Sequence, residues 1–299
     1  MSKIVYTPKN FRAGARNLIN LCNGIIAEYQ AQGYSLTLRQ LYYQMVARGH
    51  IENSQKSYKT LGSIVNDARL AGMIDWEVIE DRTRNLHTLS TWNHPKDIIR
   101  ACANQFRIDK WGDQRYYVEC WIEKEALSGV FERICDELEI PFFACRGYTS
   151  QSEMWGAAMR LEGRIHDNKE ILIIHFGDHD PSGIDMSRDI EDRLSLFLRG
   201  QPFEFRRLAL NMDQVNEYQP PPNPAKTTDS RYESYIRDFG DESWELDALE
   251  PSILSELVRN EVMSVRNESV WEASLDVENE HKRLLGEVAE NWDKLIRRL

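Results

Sequence analysis

The chain has 299 residues, 41 % of them hydrophobic and 28 % charged, with a formal net charge of −11. That length allows two or three compact domains, each with its own core. No apolar run approaches the roughly 20 residues that span a bilayer, and the opening MSKIVYTPKNFRAGAR has no signal-peptide hydrophobic stretch; the expectation is a soluble, cytoplasmic protein with no membrane partner.

The five cysteines (Cys22, Cys102, Cys120, Cys135, Cys145) are odd in number, scattered, and contain no C-x-x-C pair. This argues against a disulfide framework and against a zinc site, and leaves most of them as small buried hydrophobes. The negative net charge argues at first against nucleic acid, but it is unevenly spread. Residues 1–115 carry 16 Lys+Arg and 10 Asp+Glu, whereas the remainder carries 21 and 38. A basic segment joined to an acidic body fits a phosphate-gripping module attached to something that holds cations, and fits ordinary charge scatter equally well.

In chain order, Phe11, Ala15, Leu18, Ile19, Cys22, Ile25, Ile26 and Tyr29 recur at three- and four-residue spacing, which predicts a helix ended by Gly33. Ser35 or Thr37 can cap a second helix running to about Ala47 and stopped near Gly49. A third begins around Ser54, with Tyr58, Leu61, Val65 and Ala68 on one face, and stops near Gly72. The stretch MIDWEVIEDRTR (73–84) alternates enough for a strand or wing. Three helices and an extended piece suggest a winged helix-turn-helix with Lys56 and Lys59 placed to meet phosphates. Pattern alone also fits a plain three-helix packing domain with solvated lysines.

Residues 85–115 read as connecting chain, with the first domain set at 1–100 and a connector over 101–115. The body, 116–299, then alternates: strand Tyr116 to Ile122, helix Glu125 to Leu138, strand Pro141 to Cys145, helix Ser152 to Ile165, strand Glu170 to Phe176, helix Ile184 to Leu198, strand Phe203 to Leu210. That rhythm with apolar strands predicts an α/β fold with a largely parallel sheet covered by helices. A Pro-rich loop, YQPPPNPAKTTDSR, follows. The chain closes with helices, the last from Glu268 to Leu299 with Val288, Trp292, Leu295 and Leu299 along one stripe.

Open α/β sheets place ligands beyond the carboxyl ends of their strands. The first body strand runs into Glu123-Lys124-Glu125, and the third into Gly177-Asp178-His179-Asp180-Pro181-Ser182-Gly183. Asp178 and Asp180 are two residues apart, so extended backbone points both the same way. Either alone reads as a cap for the following helix. Together with a strand-terminal Glu in the same sheet, they read as a hard-oxygen site suited to Mg²⁺.

The order strand–Glu, then strand–D-x-D-x-x-G, resembles the Toprim fold of topoisomerases, primases and related nucleases. The detail is most similar to the A subunit of type IIB topoisomerases and its meiotic double-strand-break relative. It includes Glu123-Lys124-Glu125-Ala126, Gly147-Tyr148, the loop Asp178 to Ile184, and Trp244 to Leu249. The helix segment Thr37-Leu38-Arg39-Gln40-Leu41-Tyr42-Tyr43 resembles the one carrying that family's nucleophile. With successive helix residues about 100° apart, Tyr42 falls on the apolar stripe and Tyr43 one turn from Arg39, off it; Tyr42 is therefore assigned to the core and Tyr43 to chemistry.

The resemblance implies an N-terminal winged-helix (CAP-like) domain, then a Toprim (Rossmann-like) sheet with C-terminal helices. Glu123, Asp178 and Asp180 would hold Mg²⁺. Tyr43 would attack duplex DNA, helped by Arg39, leaving a 5′-phosphotyrosyl link. Tyrosine has a pKa of about 10 and needs a cation to favour phenolate. The same resemblance implies a DNA-associated homodimer, with the tyrosine of one subunit facing the metal of the other. Lys124 and Arg146 are further candidate phosphate contacts, although either can pair with the surplus carboxylates, and Lys226 and Arg231 are similarly ambiguous. The chain contains no recognisable ATPase module, so any strand-passage cycle needs a separate ATPase subunit. Two rival readings stay open: a Toprim nuclease using metal-bound water, and a non-catalytic DNA-binding module.

Overall fold

The computed structural model describes residues 3–79 and 89–297. The N-terminal helices are α1 (Ala13–Ala31), α2 (Leu38–Ala47) and α3 (Gln55–Leu70). They form where the apolar stripes and caps put them. Thr37 closes a reciprocal capping box with Gln40: its hydroxyl accepts from the Gln40 N–H at 3.2 Å while the Gln40 side chain accepts from the Thr37 N–H at 2.9 Å. Ser54 Oγ accepts from the Ser57 N–H at 3.1 Å and starts α3. The turn after α3 needs glycine: Gly72 has φ +67, and a Cβ there would lie 3.1 Å from the Ile4 backbone. Ile19, Cys22, Ile25, Leu41, Met45, Leu61, Val65 and Ala68 make one buried core.

The expected wing is described only in part. Residues 73–79 make turns and one parallel bridge, Leu36 to Ile79, and residues 80–84 of the wing lie outside the described residues. The expected connector differs, because it contains helix α4 (Pro95–Gln105). His94 caps that helix through its side chain and Pro95 opens it, a start signal that the short apolar stripe obscured.

The body is mixed α/β. Strands β1 (Tyr116–Ile122), β2 (Phe142–Ala144), β3 (Glu170–Phe176) and β4 (Glu204–Ala209) form a four-stranded parallel sheet in the order β2-β1-β3-β4. Helices α5 (Ser128–Leu138), α6 (Gln151–His166) and α7 (Pro181–Phe197) cross between them. Both faces are covered, which is why the strands read as continuous apolar runs. Val118, Cys120, Ile122, Leu172, Ile174 and Phe176 pack on one side; Tyr117, Trp121, Ile171 and Ile173 pack on the other. Ile122 lies opposite Phe176, and the Glu123 N–H donates to the Phe176 carbonyl at 2.8 Å, so β1 and β3 end level. Four of the five cysteines are buried and Cys102 is exposed.

The chain continues through α8 (Met212–Tyr218), β5 (Asn223–Pro224), α9 (Tyr232–Phe239), β6 (Glu242–Ser243), a 3₁₀ turn at Leu246–Ala248, α10 (Pro251–Val265), α11 (Glu268–Glu290) and α12 (Trp292–Ile296). The expected final helix is thus broken at Asn291, and Val288 and Leu295 of its stripe are 39 % and 40 % exposed. The packed positions of α11 are Trp271, Glu278 and Ala289. Among the described residues no helix is long and apolar enough to cross a membrane.

A buried ion cluster anchors α11. Lys110, 1 % exposed, pairs with Glu278 and donates to Glu139 at 2.8 Å. Glu278 also accepts from the Ile108 N–H at 3.1 Å and from Lys282 at 2.6 Å. Burial works against the Glu278 carboxylate, but Lys110, Lys282 and the Ile108 amide outweigh it and hold its pKa down at about 2. Removing one partner of such a pair strands the other charge, so Lys110→Met is expected to cost about 3–5 kcal/mol in urea denaturation. A carboxylate depressed in the folded state stabilises above its unfolded pKa, about 4.3. That contribution is expected to fade between pH 5 and 2 in wild type, with about the same window lost from the Lys110→Met profile.

Candidate active site at the carboxyl ends of β1 and β3

The level ends of β1 and β3 bring Glu123 beside the aspartate loop. Glu123 Oε2 accepts from the Asp178 N–H at 2.8 Å. Asp180 caps α7: its Oδ1 accepts from the Gly183 N–H at 2.6 Å and from Ser182 Oγ at 2.8 Å, and Pro181 occupies the first turn. Asp178 does not cap. Its Oδ1 accepts from the Leu246 N–H at 2.7 Å, and its Oδ2 pairs with Lys124 at 2.8 Å. His179 goes elsewhere, as alternation requires. It is buried against Tyr235, Phe239 and Trp244, and its backbone exchanges both hydrogen bonds with Trp244.

Two glycines allow this closeness. A Cβ on Gly177 would lie 2.9 Å from Glu123 Oε2, and one on Gly183 would lie 2.3 Å from the Asp178 carbonyl oxygen. Behind the loop, Arg207 of β4 donates to the carbonyls of Asp178 at 2.6 Å, Gly177 at 3.1 Å, and Gly183 and Leu210 at 3.2 Å each. Burial lowers its pKa to about 10, with Glu123, Asp178 and Asp180 opposing the fall. Nothing in the sequence pattern marked this arginine, which sits mid-strand without a motif.

The segment Trp244 to Leu249 adds two more acids. Arg39 of α2 pairs with Glu245 at 2.6 Å and with Asp247 at 2.8 Å. Lys124 pairs with Glu245 as well as Asp178, and with Asp247 at 3.2 Å. Lys124, read from sequence as a candidate phosphate contact, is therefore turned inward. Burial alone would lower its pKa, but Asp247, Asp178 and Glu245 hold it above the usual lysine range. Arg146 pairs with Glu125 at the surface. Lys56 and Lys59 are exposed on α3 and have no carboxylate partner among the described residues. Arg231 is held by Asp229 and Asp185.

Burial drives the Asp178 pKa well above the carboxylate range, Glu123, Glu245 and Asp247 add to the rise, and Lys124 opposes it. Burial likewise raises Glu123, and Asp180 adds to the rise. Glu245 goes the other way: burial would raise it, but Lys124 and Arg39 pull it below its ordinary value. Crowded, partly desolvated carboxylates of this kind favour a cation.

For Mg²⁺ the donor chemistry fits at Glu123 and Asp180, hard oxygens that converge on Gly183, since that ion needs only one or two carboxylates with water completing the shell. Asp178 has both oxygens engaged. Among the described residues no three His, Cys, Asp or Glu side chains are already grouped as a metal cage.

Tyr43 is 5 % exposed, as is Tyr42. The expectation that Tyr43 stands off the packed stripe is corrected: α2 is buried on more than one face because the Trp244 to Leu249 segment packs against it, with Ala248 joining its core. The two tyrosines still differ. The Tyr42 hydroxyl is tied to Asn53 Oδ1 at 2.9 Å and accepts from the Ser54 N–H at 2.8 Å. Among the described residues Tyr43 has no comparable tie to Asn53 or Ser54; instead it lines a cleft of about 540 Å³ together with Arg39, Asn223, Lys226, Asp180 and Glu245. Burial raises its pKa, Glu245 and Asp247 add to this, and Arg39, 5.8 Å from the ring centroid, opposes them. The help expected from Arg39 thus has the expected sign but is outweighed.

The glycine geometry gives a direct test. Gly183→Ala is expected to lose about 1–3 kcal/mol or more, because backbone must move. Gly156→Ala, mid-helix with nothing within 4 Å of its Cβ position, is expected to gain about 0.5–1 kcal/mol. Urea denaturation of the pair separates the two.

The chain matches no family model, no curated protein and no solved structure.

Proposed function

We propose that the chain is a Mg²⁺-dependent DNA-cleaving transesterase similar to the type IIB topoisomerase A subunit, with the α1–α3 unit as its winged-helix-like DNA module and the parallel sheet as its Toprim-like domain. One observation carries this reading: Tyr43 and Asp180, which come from distant parts of the sequence, line a single cleft. A nearly buried tyrosine sharing a solvent-open cleft with Asp180 and Glu245 is a costly arrangement for stability alone.

In this reading Glu123, Asp180 and, once freed from Lys124, Asp178 would hold Mg²⁺. When bound, that ion neutralises negative charge gathering on the phosphodiester. The Tyr43 oxygen forms the new bond to phosphorus, the 3′ oxygen leaves, and the phenol proton ends on that 3′ oxygen. Asn223, which lines the same cleft, would orient the Tyr43 hydroxyl. Arg39 keeps α2 against the acidic segment and offsets part of the repulsion around the phenol. A homodimer would supply the two tyrosines that cutting both strands requires.

A second reading has its own support. The raised pKa of Tyr43 and the commitment of Arg39 to Glu245 and Asp247 both favour water over phenolate as the nucleophile, which describes a hydrolytic nuclease at the same acids.

Supercoiled plasmid incubated with Mg²⁺, stopped with detergent and run with and without protease, decides between them. Protein-linked breaks are expected in wild type and absent in Tyr43→Phe. Asp180→Asn is expected to lose more than the about 10- to 100-fold typical of removing a ligand's hydrogen-bond partner. Free ends still produced by Tyr43→Phe would establish the hydrolytic reading. No cleavage by wild type, with or without an added ATPase fraction, would overturn both.

A further inference from the structure

Two cations line the cleft, Arg39 and Lys226, and they are not equivalent. Arg39 has its guanidinium divided between Glu245 and Asp247. The neighbouring cations Lys124 and Arg207 are also committed, one to three carboxylates and the other to the carbonyls of the aspartate loop. The Lys226 side chain is 68 % exposed, and its one carboxylate partner among the described residues is Asp180 Oδ2 at a loose 3.5 Å.

Its backbone, by contrast, is fixed. The preceding Ala225 is buried and donates to the Asp241 carbonyl at 2.8 Å, and the Lys226 carbonyl accepts from the Asp229 N–H at 3.0 Å. Three residues earlier on the same segment, Asn223 lines the same cleft as Tyr43. Asn223 itself is held by strand pairing to Ser243 and by the Asn53 amide at 2.8 Å. One short, anchored stretch of chain thus brings Asn223 into the cleft that Tyr43 lines and holds a loosely paired ammonium beside Asp180.

An anion entering this cleft meets Asp180 and Glu245 on its walls and is repelled unless a cation can turn toward it. We propose that Lys226 is that cation: it binds a non-bridging oxygen of the scissile phosphodiester between Tyr43 and Asp180. The proposal rests on the reading of the cleft as a DNA-cleaving site. The contact is with the backbone phosphate and carries no base information, so it is sequence-independent. Lys226 leaves Asp180 as it turns to the phosphate, so the two events are coupled.

The test uses full-length protein and a duplex oligonucleotide of about 30 base pairs. Lysine acetylation read by mass spectrometry is expected to show Lys226 shielded when duplex is present, whether or not cleavage occurs. In Lys226→Met the slope of log binding constant against log salt is expected to shrink by about 0.9, the value for one lost phosphate contact. Plasmid cleavage is expected to fall at least about 100-fold, with Lys226→Arg recovering to within tenfold of wild type. If wild type binds and cleaves DNA but Lys226 is acetylated equally with and without it, or Lys226→Met matches wild type in slope and cleavage, the proposal is wrong and the functional reading stands. If wild type binds no duplex at low salt, the functional reading fails and takes the proposal with it.

Discussion

Lys124 carries one positive charge into a group of three carboxylates drawn from two distant parts of the chain: Asp178 after β3, and Glu245 and Asp247 after β6. Without that ammonium the three acids would repel one another more strongly in a partly desolvated pocket, and the already raised pKa of Asp178 would rise further. Arg39 joins two of these acids from α2. The knot therefore does two jobs. It keeps the aspartate loop in shape, and it fastens the N-terminal helices to the sheet, so that the cleft lined by both Tyr43 and Asp180 exists at all.

The site stores unfavourable electrostatics and offsets it with hydrogen bonds to backbone. Arg207 illustrates the balance. Its burial is costly enough to lower its pKa to about 10, yet it satisfies four carbonyls of the turns around Asp178. The aspartate loop is held stiff by the number of partners its polar groups have. Stiffness of this kind is what a preorganised site needs, and it also leaves Asp178 without a spare oxygen.

Much of this was legible in the residues. Strands β1 and β3 fall on the boundaries read from their apolar runs, because a strand buried on both faces leaves an unbroken signal. The helices α1 to α3 were readable because an apolar stripe and a glycine stop agree at each, joined at α2 and α3 by a capping side chain. The strand-end acids could be placed together from the pattern of strands alone, since parallel strands end on the same side. Other features were hidden for identifiable reasons. Tyr43 is buried by a segment about two hundred residues away in sequence, and helical periodicity knows nothing of such a neighbour. Glu245 and Asp247 were noticed only as part of a resemblance, because isolated acids in an irregular stretch have no local pattern. Lys124 and Arg146 both looked like phosphate contacts; which carboxylates claim them is a matter of tertiary placement.

The segment Trp244 to Leu249 belongs to two interiors. Leu246 and Leu249 are packed with the sheet, while Ala248, between them, is packed with the N-terminal helices. A stretch this short cannot stay folded against one and detach from the other without exposing apolar surface on both sides. The two units should therefore melt as a single cooperative body rather than as beads on a string, and any opening of the cleft wide enough to admit duplex must come from side chains such as the loosely held Lys226 yielding first, not from a free swing about a linker.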